Sequence, residues 1–256
     1  MYAEERQRAI AALVGDHGRA SVTDLAERFD VTPETVRRDL AALERTGSVR
    51  RVHGGVVAAA LLAGVEPGVG EREETNAGAK RAIGAAARRF LPGTGGSVLF
   101  DAGTTTAAAA RALGPADRLT AITNSLPIAT TLASRDGVDL HLIGGRLRGL
   151  THASVGASTV AAIAALRADV AFIGANGLTA RHGLSTPDAD EASVKSALMR
   201  AAQFVVVLAD ASKFGRESLY SFGALGGIDA IVTDAAPDTE LASALEGFGV
   251  EVVIAR

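Results

Sequence analysis

Apolar positions along this chain recur in two regimes, and the change between them divides it. In the first sixty residues they recur at helical spacing. "MYAEERQRAIAALVGDHG" sets Ile10, Leu13 and Val14 on one face and its charges on the other, which predicts an amphipathic helix. Val36, Leu40 and Leu43 fall at i, i+4 and i+7 and predict a second core-facing stripe. The β-branched Val49, Val52 and Val56 flank Gly54-Gly55 and predict a small hairpin. From residue 76 onward, near-continuous apolar runs alternate with helical patterns. Candidate strands are 98–100, 119–123, 138–143, 170–173, 204–208, 230–233 and 250–254. Strands that are apolar on both faces and separated by helices predict an α/β domain built on a doubly wound, largely parallel sheet.

The polar positions add boundaries and chemistry. Ser21 with Asp24 three residues later is a capping-box-like start, and "LAERF" continues that helix. Asp30-Val31 breaks it. Thr32-Pro33-Glu34 then opens another helix with a cap, a proline at the first position and an acid in the first turn. Two short helices joined this tightly are a helix-turn-helix. Glu34, Thr35, Arg37 and Arg38 point away from the Val36/Leu40/Leu43 stripe, where exposed arginines are ordinarily a solvated face. The expected hairpin carries Arg50, Arg51 and His53 and reads as a wing; its plainer reading is a connector. Charge favours the wing. The chain is −3 overall, yet residues 36–53 hold five arginines against Asp39 and Glu44, a local net of +3. Double-stranded DNA is the expected partner, contacted by Ser21, Thr32, Glu34, Thr35, Arg37, Arg38, Arg50, Arg51 and His53.

"LFDAGTTTAAAARAL" carries the second site. A buried strand runs into Asp101-Ala102-Gly103, and Thr104, Thr105 and Thr106 open an alanine-rich helix. The first N–H groups of a helix lack internal partners and favour an anion. The plainer alternative is that Thr104 merely caps the helix. No Gly-Lys-Ser/Thr follows the turn, and "GTGG" precedes its strand, so neither a P-loop nor a dinucleotide fingerprint is present. Polar, glycine-rich loops also follow the other candidate strands, at Asn124, Gly145, Asn176 and Lys213. Ligands of such sheets bind beyond the strand ends.

Composition narrows the chemistry. At 48% apolar, a sizeable core is available, and with 4% aromatics and no tryptophan it is aliphatic. Without cysteine there is no disulfide or thiolate metal site, and the five histidines lack ligand spacing, so no metal or cofactor is expected. The longest apolar run is too short to span a bilayer, and a cytoplasmic protein is expected.

"SVTDLAERFDVTPETVRRDLAALERTGSVRRVHGG" resembles the winged helix of the DeoR family of bacterial sugar-responsive repressors. "LFDAGTTT", "AITNSLPIA", "LIGGRLR", "GLSTPDADEASVKSALM" and "LADASKFG" resemble that family's sensor domain. The resemblance implies a sensor fold similar to ribose-phosphate isomerases, a phosphorylated sugar as effector and a homodimer or homotetramer. The implied domains are 1–57 for DNA, a linker over 58–75, and 76–256 for the effector. Gly103 to Thr106 and Lys213 would hold the phosphate, and Gly145 lies on a neighbouring loop. Asn124, Asp101, Glu191 and Lys195 would hold the sugar. Glu191 and Lys195 are also spaced for an i,i+4 surface ion pair, and the two readings stand level. An isomerase or deaminase with Asp101 or Glu191 as base is the rival. The fused DNA-binding segment favours a regulator without catalytic residues.

Overall fold

The computed structural model describes residues 3–17, 19–45, 49–52, 55–58 and 67–256. The chain forms two compact units, Met1–Glu66 and Pro67–Arg256.

The first unit begins with α1 (Ala3–His17), β1 (Arg19–Ser21), α2 (Val22–Phe29) and α3 (Pro33–Arg45). Each cap is made by the residue whose chemistry calls for it. Ser21 Oγ accepts the Asp24 N–H at 3.0 Å and starts α2, and Thr32 Oγ1 accepts the Thr35 N–H at 3.2 Å and starts α3. Asp30 takes the left-handed conformation, φ 50°, that ends α2. Val36, Leu40 and Leu43 are buried against Ile10, Val14, Leu25, Val49 and Val56. β2 (Val49–Val52) and β3 (Gly55–Ala58) pair antiparallel, and β1 adds itself to β3 as a third strand. A Cβ on Gly55 would stand 2.5 Å from the Ala20 carbonyl oxygen, so β3 can approach β1 only with glycine there. Asp39, on the recognition-type helix, is buried in an ion pair with Arg6 of α1 at 2.6 Å, and Gln7 Nε2 donates to its other oxygen at 3.0 Å.

The second unit is a seven-stranded, wholly parallel sheet in the order β15-β14-β12-β9-β4-β5-β6. Its strands are β4 (Ser97–Phe100), β5 (Leu119–Thr123), β6 (Val138–Leu142), β9 (Ala168–Gly174), β12 (Ala202–Leu208), β14 (Ala230–Thr233) and β15 (Glu251–Ile254). Every apolar run read as a strand is one. Alternate residues face opposite layers: Val98, Phe100, Val170 and Phe172 pack beneath α5 (Ala77–Ala87), α6 (Thr104–Ala112) and α7 (Leu126–Leu132). Leu99, Ala171, Ile173 and Val207 face the other layer, with Val194 and Leu198 of α9 (Ala189–Arg200). Phe100 and Phe172 meet at 5.5 Å between ring centres, and burying each side chain is worth about 1.5–3 kcal/mol. α8 (Ala157–Ala164) and α10 (Thr239–Gly247) are further helices of this unit.

Sequence periodicity did not indicate the short antiparallel additions. β7 (Arg146–Arg148) and β8 (Ala153–Val155) form a hairpin, and β10 (Gly177–Thr179), β11 (Gly183–Thr186) and β13 (Tyr220–Gly223) a small sheet. Three- and four-residue strands carry too few positions for a period to register. The expected linker over 58–75 also contains an element, α4 (Val69–Glu74), within the second unit. Its own sequence is glycine- and glutamate-rich and buries no side chain, so tertiary contacts fix it. The Val69 N–H donates to the Leu150 carbonyl at 3.0 Å, and Glu73 pairs with Arg111 at 2.8 Å.

Candidate functional site

In the first unit, Arg37 and Arg38 are exposed on α3, opposite its buried stripe. Glu34 is exposed beside them and pairs with Arg37 Nη1 at 3.3 Å, a contact that holds the guanidinium at the helix surface. Thr35 is half-buried, and its hydroxyl lies 2.9 Å from that of Thr32. Ser21 and Thr32 serve as caps. Arg50 and Arg51 stand on β2, an edge strand of the three, and His53 lies outside the described residues.

In the second unit the chain leaves β4 toward β5 and β6 in one direction, and later toward β12, β14 and β15 from β9 in the other. The order therefore reverses between β4 and β9, and beyond the strand ends at such a switch point is where ligands of parallel sheets bind. Asp101 follows β4 directly into that point and is 1% exposed. Its Oδ2 accepts the Gly174 N–H at 2.9 Å from the end of β9 and forms an ion pair with Lys195, which is 4% exposed. Lys195 also donates to the Gly174 carbonyl at 3.0 Å, and its ammonium lies 5.6 Å from the centre of the Phe222 ring. Burial pushes the Asp101 carboxyl above its ordinary range, while the Lys195 charge, its hydrogen bond and the Gly174 N–H pull it back.

Of the two level readings of Glu191 and Lys195, the surface ion pair is corrected. Both are buried and turn to different partners: Glu191 Oε1 accepts from Thr151 at 2.5 Å and Arg148 at 3.2 Å. Asp188 caps this helix by accepting the Glu191 N–H at 2.9 Å and also accepts from Arg148 at 3.1 Å. The hairpin β7–β8 is thus tied to the start of α9.

The plainer reading of the three threonines is corrected as well. Gly103, not Thr104, is the N-cap of α6, and no side chain caps that end. Thr106 Oγ1 bonds the Asp101 and Gly103 carbonyls at 2.6 and 2.8 Å, fixing the turn. Thr104 Oγ1 reaches the Arg72 carbonyl at 3.4 Å, and the Thr105 hydroxyl makes no hydrogen bond among the described residues. Helix N–H groups left without a side-chain acceptor, at a switch point, are suited to an anion.

Asn124 directly follows β5 and is buried, with Nδ2 bonded to the Ser154 carbonyl at 3.0 Å and Oδ1 without a partner among the described residues. Lys213 is half-buried after β12, and burial lowers its pKa while the Asp210 carboxylate opposes. Gly145 stands apart, beyond β6 and two strands from β4. A Cβ there would meet Thr159 Oγ1 at 2.0 Å, so packing alone requires glycine.

Sequence reasoning missed Lys80. It is buried in α5 and donates to the carbonyls of Arg72 and Thr75, the latter at 2.6 Å. Its pKa is lowered to about 8, chiefly by burial, with the Asp210 charge opposing. Asp210 itself is pushed up by burial but held below its ordinary value by Lys213, Ser212, Asn76 and Lys80. A lysine inside an alanine-rich helix gives no sequence signal of such a role. Among the described residues no cluster could hold a metal ion, and no helix is long and apolar enough to cross a membrane.

Comparison with known proteins decides the family. Residues 6–60 match the DeoR-like helix-turn-helix domain and residues 75–235 the DeoR C-terminal sensor domain. The chain belongs to the DeoR family. It is a DNA-binding transcriptional regulator, in a family of regulators and not of enzymes. It is 38% identical to the HTH-type transcriptional regulator GlpR of Haloferax volcanii, over 99% of this chain and 98% of that one. It is 32% identical to the HTH-type transcriptional repressor GlcR of Bacillus subtilis, over 99% and 97%. The glycerol-3-phosphate regulon repressor of Escherichia coli K12 is 31% identical over 97% of each. A ribose 5-phosphate isomerase from Methanocaldococcus jannaschii overlays 55% of each chain at 18% identity with a TM-score of 0.41.

Proposed function

We propose that this DeoR-family regulator represses genes of carbohydrate uptake or catabolism and releases its operator when a phosphorylated sugar binds at the switch point between β4 and β9. One observation carries the reading. The uncapped start of α6 at the sheet's switch point lies on the same chain as a helix-turn-helix whose exposed face carries Arg37 and Arg38. Gly103 to Thr106, with Lys213, take the phosphate; Asn124 Oδ1 and the walls formed by Asp101, Glu191 and Lys195 meet the sugar. Arg37 and Arg38 of α3 enter the major groove with Glu34 and Thr35 beside them. Ser21, Thr32, Arg50, Arg51 and His53 face the backbone. A homodimer or homotetramer presents two such units to an operator with repeated half-sites.

The test is paired titration. Operator affinity is measured by fluorescence anisotropy with and without glycerol 3-phosphate, glucose 6-phosphate and fructose 6-phosphate. Coupling of this kind is about 5–150-fold, and by reciprocity operator weakens the sugar phosphate by the same factor. Equal affinities for every compound would sink the switch.

Two substitutions separate the sites. Arg38→Ala is expected to cost about 1–3 kcal/mol in operator binding with the melting temperature unchanged. An unaltered gel-shift titration removes Arg38 from the interface. Thr105→Leu, which fills the cradle with an apolar side chain, is expected to abolish the sugar-phosphate response while operator binding persists. A variant that still releases DNA normally places the phosphate elsewhere.

A further inference from the structure

The helix α4 is the first element of the sensor unit in chain order, and its C-terminal end is held by residues of the switch-point site. Lys80 Nζ donates to the carbonyl oxygens of Arg72 and Thr75. Thr104 Oγ1, on the first residue of α6, reaches the same Arg72 carbonyl at 3.4 Å. Asn76, in the left-handed conformation just beyond α4, donates through Nδ2 to Asp210 Oδ1 at 3.0 Å. Two donors that share one acceptor stand within the span of a single tetrahedral anion. Lys80 is therefore at the rim of the α6 cradle, although it comes from a different helix.

An ammonium has three N–H groups, and Lys80 directs two of them to α4. We infer that an anion seated on the start of α6 takes the third, so that filling the site fixes the end of α4, the first helix of the sensor unit. The inference rests on the switch point being the effector site and adds the helix end that occupancy fixes. The electrostatics agree. Lys80 is only 5% exposed, and a desolvated cation gains more from a counter-charge than a hydrated one does. Its charge sits where the carbonyl end of α4 is negative, so strengthening Lys80 in its charged form strengthens its hold on those carbonyls. The carboxylates of Asp210 and, more weakly, Glu73 already favour the charged form of Lys80, while Lys213 and Arg72 oppose it.

Hydrogen exchange on the full-length protein tests this, with inorganic phosphate, glycerol 3-phosphate and glucose 6-phosphate as probes and the rise in melting temperature as an independent measure of occupancy. The amides of Arg72 and Thr75, bonded to the Gly68 and Glu71 carbonyls, are expected to exchange about tenfold more slowly at saturation. In Lys80→Gln the slowing is lost, and in Lys80→Arg it returns. Unchanged or faster exchange at these amides in the unmodified protein, with the melting temperature raised, overturns the inference and leaves the effector site standing. No rise in melting temperature with any probe removes the effector reading and this inference with it. The unmodified protein alone decides the matter if Lys80→Gln does not fold.

Discussion

Replacing Lys195 with methionine is expected to destabilise the sensor unit by about 3–5 kcal/mol, because it leaves the Asp101 carboxylate buried without its counter-charge. Asp101 is 1% exposed, and its remaining support is the single Gly174 N–H at 2.9 Å. Desolvation is not refunded elsewhere in the site, so the carboxyl must either take up a proton or draw in water. Urea unfolding is the measurement, with a lowered midpoint and an unchanged slope as the expected result. The double variant Asp101→Asn with Lys195→Met removes both charges and keeps an acceptor for the Gly174 N–H. It is expected to recover a large part of the loss, as buried pairs do when both partners are neutralised. A cost below about 1 kcal/mol for Lys195→Met is the value for an exposed pair and would contradict the buried geometry. The pair also bears on effector binding. Lys195 directs two N–H groups to Asp101 and the Gly174 carbonyl, so it can offer a sugar hydroxyl only its third.

The second large effect is a dependence of stability on pH above neutrality. Lys80 titrates at about 8 in the folded protein, against 10.5 in the unfolded chain, because burial disfavours its charged form. Between those two values the unfolded chain binds more protons, so stability rises with pH across the window. Below pH 8 the penalty is fully present and constant. The shift corresponds to about 3 kcal/mol gained between pH 8 and 10.5. Other groups titrate in this range, and the comparison with Lys80→Gln isolates the contribution. The unfolding free energy of the unmodified protein is expected to rise by about 3 kcal/mol relative to that of the variant as the pH rises from 8 to 10.5. Parallel curves would show that Lys80 is solvated. A bound anion raises the folded-state value of Lys80, so saturating sugar phosphate is expected to flatten the dependence.

Much of this architecture is written in local pattern. The strands of the parallel sheet are short apolar runs because both of their faces are covered, and a residue buried on either face must be apolar wherever it falls. Val36, Leu40 and Leu43 declare their face of α3 by spacing alone, and that spacing leaves Arg37 and Arg38 outside. Ser21 and Thr32 cap the helices they precede because capping involves only residues three apart. The strand–glycine–threonine turn at Asp101 is legible locally, whereas its place at the switch point depends on the order of strands in the sheet.

Pairing across the chain is of another kind. Asp101 and Lys195 are 94 residues apart, and Arg6 and Asp39 are 33 apart. No period links such residues, and each has a local partner that looks just as suitable. Glu191 stands one helical turn from Lys195, yet the helix rolls one toward Asp101 and the other toward Arg148 and Thr151. Gly145 has a packing role that no local pattern shows: a Cβ there would meet Thr159 Oγ1 at 2.0 Å. α4 has no buried face and no side-chain cap at its N-terminus; besides the Thr75 hydroxyl on the Glu71 carbonyl, its contacts come from Leu150, Lys80 and Arg111, none of them adjacent in sequence. The sequence by itself determined the parallel-sheet strands, the helices of the first unit and their order along the chain, because these depend on burial pattern and local capping. Which charge meets which, and what holds α4, depend on distances across the fold, and only the tertiary structure decided them.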